Sequence, residues 1–81
     1  MYYVYVLQNS QGILYKGQTS DLIKRIQQHN DPNSSLSYTR NRGPWTLVYK
    51  EELLTRSEAI QKEKFLKTGK GRDFLKAIVD Q

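Results

Sequence analysis

Cysteine is absent from the 81-residue chain. That excludes disulfide staples, thiolate nucleophiles and Cys-based zinc sites, and it fits a reducing, cytoplasmic setting. Long apolar runs are absent too. None exceeds about half a dozen residues, against the ~20 that a membrane-spanning helix needs, and mean hydropathy is -0.75. The opening Met1-Tyr2-Tyr3-Val4 has no basic segment leading into an apolar stretch, so no secretory leader is expected. Repeats, low-complexity tracts and linkers are lacking. Histidine occurs once, so any imidazole chemistry falls to His29. Aliphatics are scarce: Leu, Ile, Val and Phe fill 20 of the 81 positions, not far above the ~20% below which disorder is expected. Six tyrosines make up part of the shortfall. The length suits one small domain spanning residues 1–81.

Positive charge is present in excess, and its placement matters more than its size. The net charge is +5. Between Lys62 and Lys76, six cations (Lys62, Lys64, Lys67, Lys70, Arg72, Lys76) face Glu63 and Asp73, a local net of +4. A clustered basic stretch at a pI of about 9.6 points to a polyanion, nucleic acid first. A solvated helix face that keeps a small protein soluble is the plainer alternative.

Tyr2-Tyr3-Val4-Tyr5-Val6-Leu7 has the composition of a strand buried on both faces. A polar turn, Gln8 to Gly12, leads to a second strand at Ile13-Leu14-Tyr15-Lys16-Gly17, completing a hairpin. Tyr5 and Tyr15 meet on one surface if they lie opposite each other, and a one-residue slip of register would part them. A helix follows with Thr19 or Ser20 as N-cap, Asp21 in its first turn, and Leu22, Ile23 and Ile26 as its apolar stripe. Arg25 and His29, four apart, project from one side. The loop beyond Asn30 is about sixteen residues, long enough to suggest function or disorder. Trp45 to Glu51 reads as a third strand. A second helix starts at Thr55 or Ser57, Gly69-Lys70-Gly71 breaks it, and Phe74, Leu75 and Ile78 mark a short last helix. The expectation is an α/β (α+β) domain, a three-stranded antiparallel sheet flanked by helices in the order β-β-α-β-α-α.

One position in the second helix breaks the pattern. Glu63 falls among Ala59, Ile60 and Leu66, inside the apolar stripe. A buried carboxylate is costly unless it is paired or bound to a metal. An ion pair with Arg25 or a neighbouring Lys explains it structurally. Mg²⁺ explains it chemically, since that ion keeps several waters and takes only one or two protein carboxylates beside phosphate oxygens. Arg25 reads either as a snorkelling surface residue or as a phosphate clamp. His29 suits a helix C-terminus, and Tyr5 and Tyr15 suit strands that bury a ring and expose a hydroxyl.

Together these residues resemble the GIY-YIG nuclease superfamily. A first strand ends its short motif in Tyr5. After nine intervening residues a second strand carries Tyr15 and Gly17. Arg25 follows ten residues after Tyr15 and His29 four after that, with Glu63 on a later helix. Tyr38 to Trp45, and the run from Ser57 to Lys67, are similar to the small stand-alone members. The resemblance covers the chain from Tyr3 to about Leu75. Departures are Tyr3 where the name motif has Gly, Lys16 where it has Ile, and Gln18 where some relatives carry a basic residue. Lys16 faces away from Tyr15, so its effect is expected on packing rather than chemistry.

The resemblance implies a metal-dependent endonuclease hydrolysing phosphodiester bonds of DNA, with structured or damaged DNA, as in repair and recombination, the candidate substrate. Glu63 would hold Mg²⁺ or Mn²⁺. Arg25 would neutralise charge growing at phosphorus, and Tyr15 would be the base for the attacking water with Tyr5 orienting it. A phenol, ordinarily titrating near 10, is a poor base at neutral pH; His29, with the better-matched ordinary value, is the alternative. Arg40, Arg42, Lys67, Lys70 and Arg72 would track the nucleic-acid backbone. No small-molecule cofactor and no membrane partner is expected. A module of the same fold that binds nucleic acid and cleaves weakly or not at all is the competing reading.

Overall fold

A computed structural model describes residues 1–31, 33 and 42–79 of the chain. The element order is β1 (Tyr2–Gln8), β2 (Leu14–Thr19), α1 (Leu22–Asn30), β3 (Thr46–Leu53), α2 (Arg56–Leu66) and α3 (Gly69–Val79). The three strands form one antiparallel sheet in the order β2-β1-β3. This is the α+β architecture expected from the sequence, with β1 as its central strand.

Because β1 is central, both its faces are covered, and Val4, Tyr5, Val6 and Leu7 are all buried. Strand side chains alternate, so the four divide between two cores. Val4 and Val6 join Ala59, Leu66 and Leu75 under α2 and α3. Tyr5 and Leu7 join Trp45 on the opposite face, with Tyr15, Leu22 and Ile26 packed around them. A register shift between Val6 and Leu7 in the β1–β3 ladder, which pairs Val6 with Tyr49 and Leu7 with Leu47, brings both Val48 and Tyr49 against the aliphatic core.

Local signals set the helix ends. The α1 cap is Asp21, whose carboxylate accepts from the Lys24 amide at 3.1 Å. Thr19 sits earlier and supports the turn: its hydroxyl accepts from the Asp21 amide. The capping role expected of Thr19 or Ser20 therefore moves to Asp21. Ile23, expected in the apolar stripe, is 73% exposed, because α1 is short and turns only the Leu22–Ile26 side to the sheet. Thr55 caps α2: its hydroxyl accepts from the Glu58 amide and donates to the Glu58 carboxylate. The expected break at Gly69 to Gly71 lies instead at Lys67–Thr68. The Thr68 hydroxyl accepts from the Gly71 amide, and both glycines belong to the first turn of α3. Gly71 is there for proximity. A Cβ at that position would lie 2.1 Å from the Phe65 carbonyl oxygen, so glycine lets α3 fold tightly against the end of α2.

The loop after α1 is tied at its far end. Asn30 accepts from the Trp45 amide at 2.7 Å and donates to the Trp45 carbonyl at 3.2 Å. Asn9 donates to the Arg42 carbonyl. These bonds fix Trp45 over the aromatic core. Among the described residues no helix is long and apolar enough to cross a membrane.

Candidate active site

The hairpin register pairs Tyr5 with Gly17 and Leu7 with Tyr15. The two phenols are thus displaced by two residues rather than opposed, and an even displacement keeps them on one face. Their ring centroids lie 6.3 Å apart. The Tyr5 ring extends across Gly17, where a Cβ would stand 2.6 Å from the phenol oxygen and 2.7 Å from Cζ. The Tyr-x-Gly pattern therefore has a packing reason: glycine leaves room for the first tyrosine to lie over its partner strand.

His29, near the end of α1, comes down onto this pair. Its ring centroid lies 4.7 Å from that of Tyr15 and 5.6 Å from that of Tyr5. His29 Nε2 and the Tyr5 hydroxyl share a 2.7 Å hydrogen bond. Both residues are almost fully buried, at 2% and 1% exposure. Burial, with the Arg25 charge adding to it, lowers the His29 pKa to about 4, so the ring is neutral at neutral pH. Burial raises the Tyr5 phenol well above its ordinary range. Tyr15 and Glu63 add to that rise, and Arg25 opposes it. Tyr5 therefore stays protonated, and the pair is an uncharged, mutually satisfied couple. The better-matched titration that the sequence suggested for His29 does not survive burial.

Of the two charged members, Arg25 on α1 opposes the rise of the Tyr5 pKa and Glu63 on α2 adds to it; the members in mutual contact are the three rings. Arg25 forms no ion pair among the described residues; it lines a pocket of about 280 Å³ with Tyr2, Gln18, Thr19, Ser20 and Arg56. Glu63 is paired with Lys67, whose ammonium donates to Oε2 at 2.9 Å. The glutamate side chain is 23% exposed, neither deeply buried nor turned fully outward, and the pairing partner is the neighbouring lysine rather than Arg25. Its Oε1 has no hydrogen-bond partner among the described residues. A Mg²⁺-type ion needs one or two carboxylates beside water and phosphate oxygens, so this donor fits such an ion. Among the described residues no group of three or more His, Cys, Asp or Glu could hold a metal by itself.

Of the expected backbone-tracking cations, Lys67, Lys70 and Arg72 are exposed around the α2–α3 junction, and Arg42 is exposed beyond the long loop. Arg40 lies outside the described residues. The sequence reading missed Arg56, which stands with Arg25 beside Gln18, and Lys16, which lines a pocket with Leu14, Tyr15 and Lys67. The signal for Lys16 was present in the alternation of β2, which turns it toward the basic α2–α3 face.

Residues 1–75 match the family of the GIY-YIG catalytic domain. The chain is 41% identical over 66 residues to a UPF0213 protein of Desulfotalea psychrophila, covering 82% of this chain and 60% of that relative, less than two thirds of its length. It is 39% identical over 77 residues to a UPF0213 protein of Staphylococcus saprophyticus, covering 95% of this chain and 93% of that one. The solution NMR structure of a UPF0213 protein of Bacillus halodurans superposes with a TM-score of 0.57 at 32% identity, covering 95% of this chain and 84% of the other. The relatives' names carry no activity; the domain match implies nuclease-type chemistry on nucleic acid.

Proposed function

The chain belongs to the GIY-YIG catalytic-domain family, and from that premise we propose that it is a divalent-metal-dependent endonuclease cleaving phosphodiester bonds of DNA, the whole of residues 1–81 acting as one domain in the cytoplasm. Structured or damaged DNA of the kind met in repair is the substrate class. The observation that supports this reading is the gathering of the Tyr5, Tyr15 and His29 rings, with centroids 4.7–6.3 Å from one another.

In this reading Glu63 is the residue that holds Mg²⁺ or Mn²⁺, and such an ion, when bound, supplies Lewis-acid stabilisation of charge on a phosphate oxygen. Water attacks phosphorus, a P–O ester bond breaks, and the departing oxygen takes a proton from solvent. Arg25 offsets the negative charge that grows on the phosphoryl oxygens, as a planar guanidinium does well. Tyr15, which borders a pocket at the margin of the aromatic core, is the base: as the phenolate, having given its own proton to solvent, it would accept the proton of the attacking water. Tyr5 and His29 are positioning residues. Each is buried, each is uncharged, and each fixes the other against the Tyr15 ring. Lys67, Lys70, Arg72, Arg42 and Arg40 carry the flanking phosphates.

The competing reading, a module that binds nucleic acid without cutting it, draws on the Glu63–Lys67 pair, which already neutralises the metal's carboxylate. Incubating plasmid, single-stranded and branched DNA with Mg²⁺ or Mn²⁺ separates the two. Cleavage by wild type, reduced about 100-fold or more in Glu63→Gln and in Arg25→Ala, supports the nuclease. Metal-independent gel shifts without nicking support the binding module.

A further inference from the structure

Lys16 sits where the family's name motif carries an aliphatic residue, on the edge strand β2 and on the face turned away from Tyr5. It is half-buried. With Leu14, Tyr15 and Lys67 it lines an open pocket of about 260 Å³. That is smaller than the roughly 300–1,000 Å³ of sites that take drug-sized ligands, and it suits a single compact anionic group. Arg72, from the start of α3, stands close enough to join Lys67 in acting on Lys16: burial first, then Arg72 and Lys67, push the Lys16 pKa down. Neither Lys16 nor Arg72 has an ion-pair partner among the described residues, and Glu63 is held by Lys67.

Two cations, Lys16 and Lys67, line one recess with Leu14 and Tyr15, and an anion in that recess offsets the charge of Lys16, which has no ion-pair partner among the described residues. The Leu14 and Tyr15 walls lower the local dielectric and strengthen the attraction. Ammonium and guanidinium groups are the side chains that bind phosphate. Tyr15 connects this recess to the catalytic cluster, because its ring packs on His29 on one side and borders the pocket on the other.

We propose that Lys16 and Lys67 form a phosphate subsite beside the catalytic cluster, holding the backbone phosphate of a DNA strand next to the one that is cleaved. The subsite rests on the nuclease reading and adds Lys16 to it.

The test is binding of a fluorescently labelled single-stranded DNA oligonucleotide to the intact chain without divalent metal, followed by anisotropy across a salt series. Lys16→Gln is expected to weaken binding roughly 5-fold and to flatten the slope of log affinity against log salt by about 0.7, the share of one lost phosphate contact on a single strand. Lys16→Arg is expected to restore both. In metal-supported cleavage, Lys16→Gln raises KM more than it lowers kcat. Wild-type affinity and slope in Lys16→Gln, alongside a wild type that cleaves, overturn the subsite and leave the nuclease reading standing. Failure of Lys16→Arg to restore binding likewise overturns it. A wild type that binds the oligonucleotide but never cleaves any DNA, while Lys16→Gln loses affinity and slope, keeps the subsite and removes the nuclease.

Discussion

The central strand has two unlike faces. Toward α2 and α3, Val4 and Val6 meet Ala59, Leu66 and Leu75, a core without a polar atom in its side chains. Toward α1, Tyr5 and Leu7 meet Trp45, Tyr15 and His29. The two are equally dry, since none of the four strand residues is more than 1% exposed. They differ in what burial demands. Aliphatic groups need only close packing, whereas a phenol and an imidazole must find hydrogen-bond partners or cost free energy. Tyr5 and His29 satisfy each other, and no buried side-chain polar atom among the described residues is left unpaired. The period of two in a single strand thus separates an aliphatic face from one that carries a hydrogen-bonded phenol and imidazole, and substitutions on the two should fail in different ways.

Leu66→Ala should show the aliphatic face at its plainest. Leu66 is fully buried, and truncations of this kind cost about 2–5 kcal/mol, a large fraction of what so small a domain holds in reserve. Urea denaturation should show the midpoint falling steeply. A cost smaller than that of Tyr5→Phe would break the division between the faces. The phenol–imidazole face should reveal itself through pH instead. Unfolded His29 binds a proton near its ordinary 6.5, and folded His29 only near 4. Between those values the unfolded chain carries more protons, so stability is full above about 6.5 and is lost as pH falls toward 4, by up to about 3 kcal/mol. Urea midpoints at pH 7.5 and 4.5 should therefore diverge in wild type and diverge less in His29→Gln. Equal divergence in both would mean that the imidazole is not held neutral by burial.

The separation of faces was partly visible in the sequence. An unbroken Val4–Leu7 run announced a strand covered on both sides, and the spacing of Tyr5, Tyr15 and His29 picked out three rings that the fold brings into contact. Glu63 stood out because a carboxylate interrupted an apolar stripe. What stayed hidden depended on tertiary contact. The two-residue offset of the phenols is set by the hairpin register, which composition does not encode. The neutrality of His29 follows from burial of its ring between α1 and the sheet, which its position in the sequence does not reveal. Gly69 and Gly71 read as breakers because glycine disfavours helices on its own, yet the close approach of α3 to Phe65 and Leu66 requires one of them. Lys16 looked like a packing detail until α2 and α3 brought Lys67 and Arg72 to the same side.

Gly17→Ala brings the phenol–imidazole face into contact with its own packing limits. The added methyl meets the Tyr5 hydroxyl oxygen at 2.6 Å and ring carbon Cζ at 2.7 Å, and relief requires the side chain to swing away from its place over β2. Overpacking of this sort costs about 1–3 kcal/mol. The same movement pulls the hydroxyl from His29, so DNA cleavage should fall by more than the stability loss explains. Cleavage measured below the melting transition is the check. Retention of full activity would show that the Tyr5–His29 couple is a stability element like the aliphatic core.

Lys67→Gln should perturb stability least. Its ion pair with Glu63 joins positions four apart on the surface of α2, with the lysine side chain 55% exposed, and pairs of that kind contribute about 0.3–0.5 kcal/mol. The melting temperature should scarcely move. The functional consequences should run in opposite directions. Removing the ammonium frees Oε2, so the Mg²⁺ or Mn²⁺ concentration giving half-maximal cleavage should fall. Removing a cation from the Lys16 pocket should at the same time raise the KM for DNA. Titrating metal at saturating DNA, and DNA at saturating metal, separates the two effects. A half-maximal metal concentration that stays constant or rises would mean that Lys67 does not compete for the carboxylate, and that Glu63 is held in its apolar surroundings by the ion pair alone.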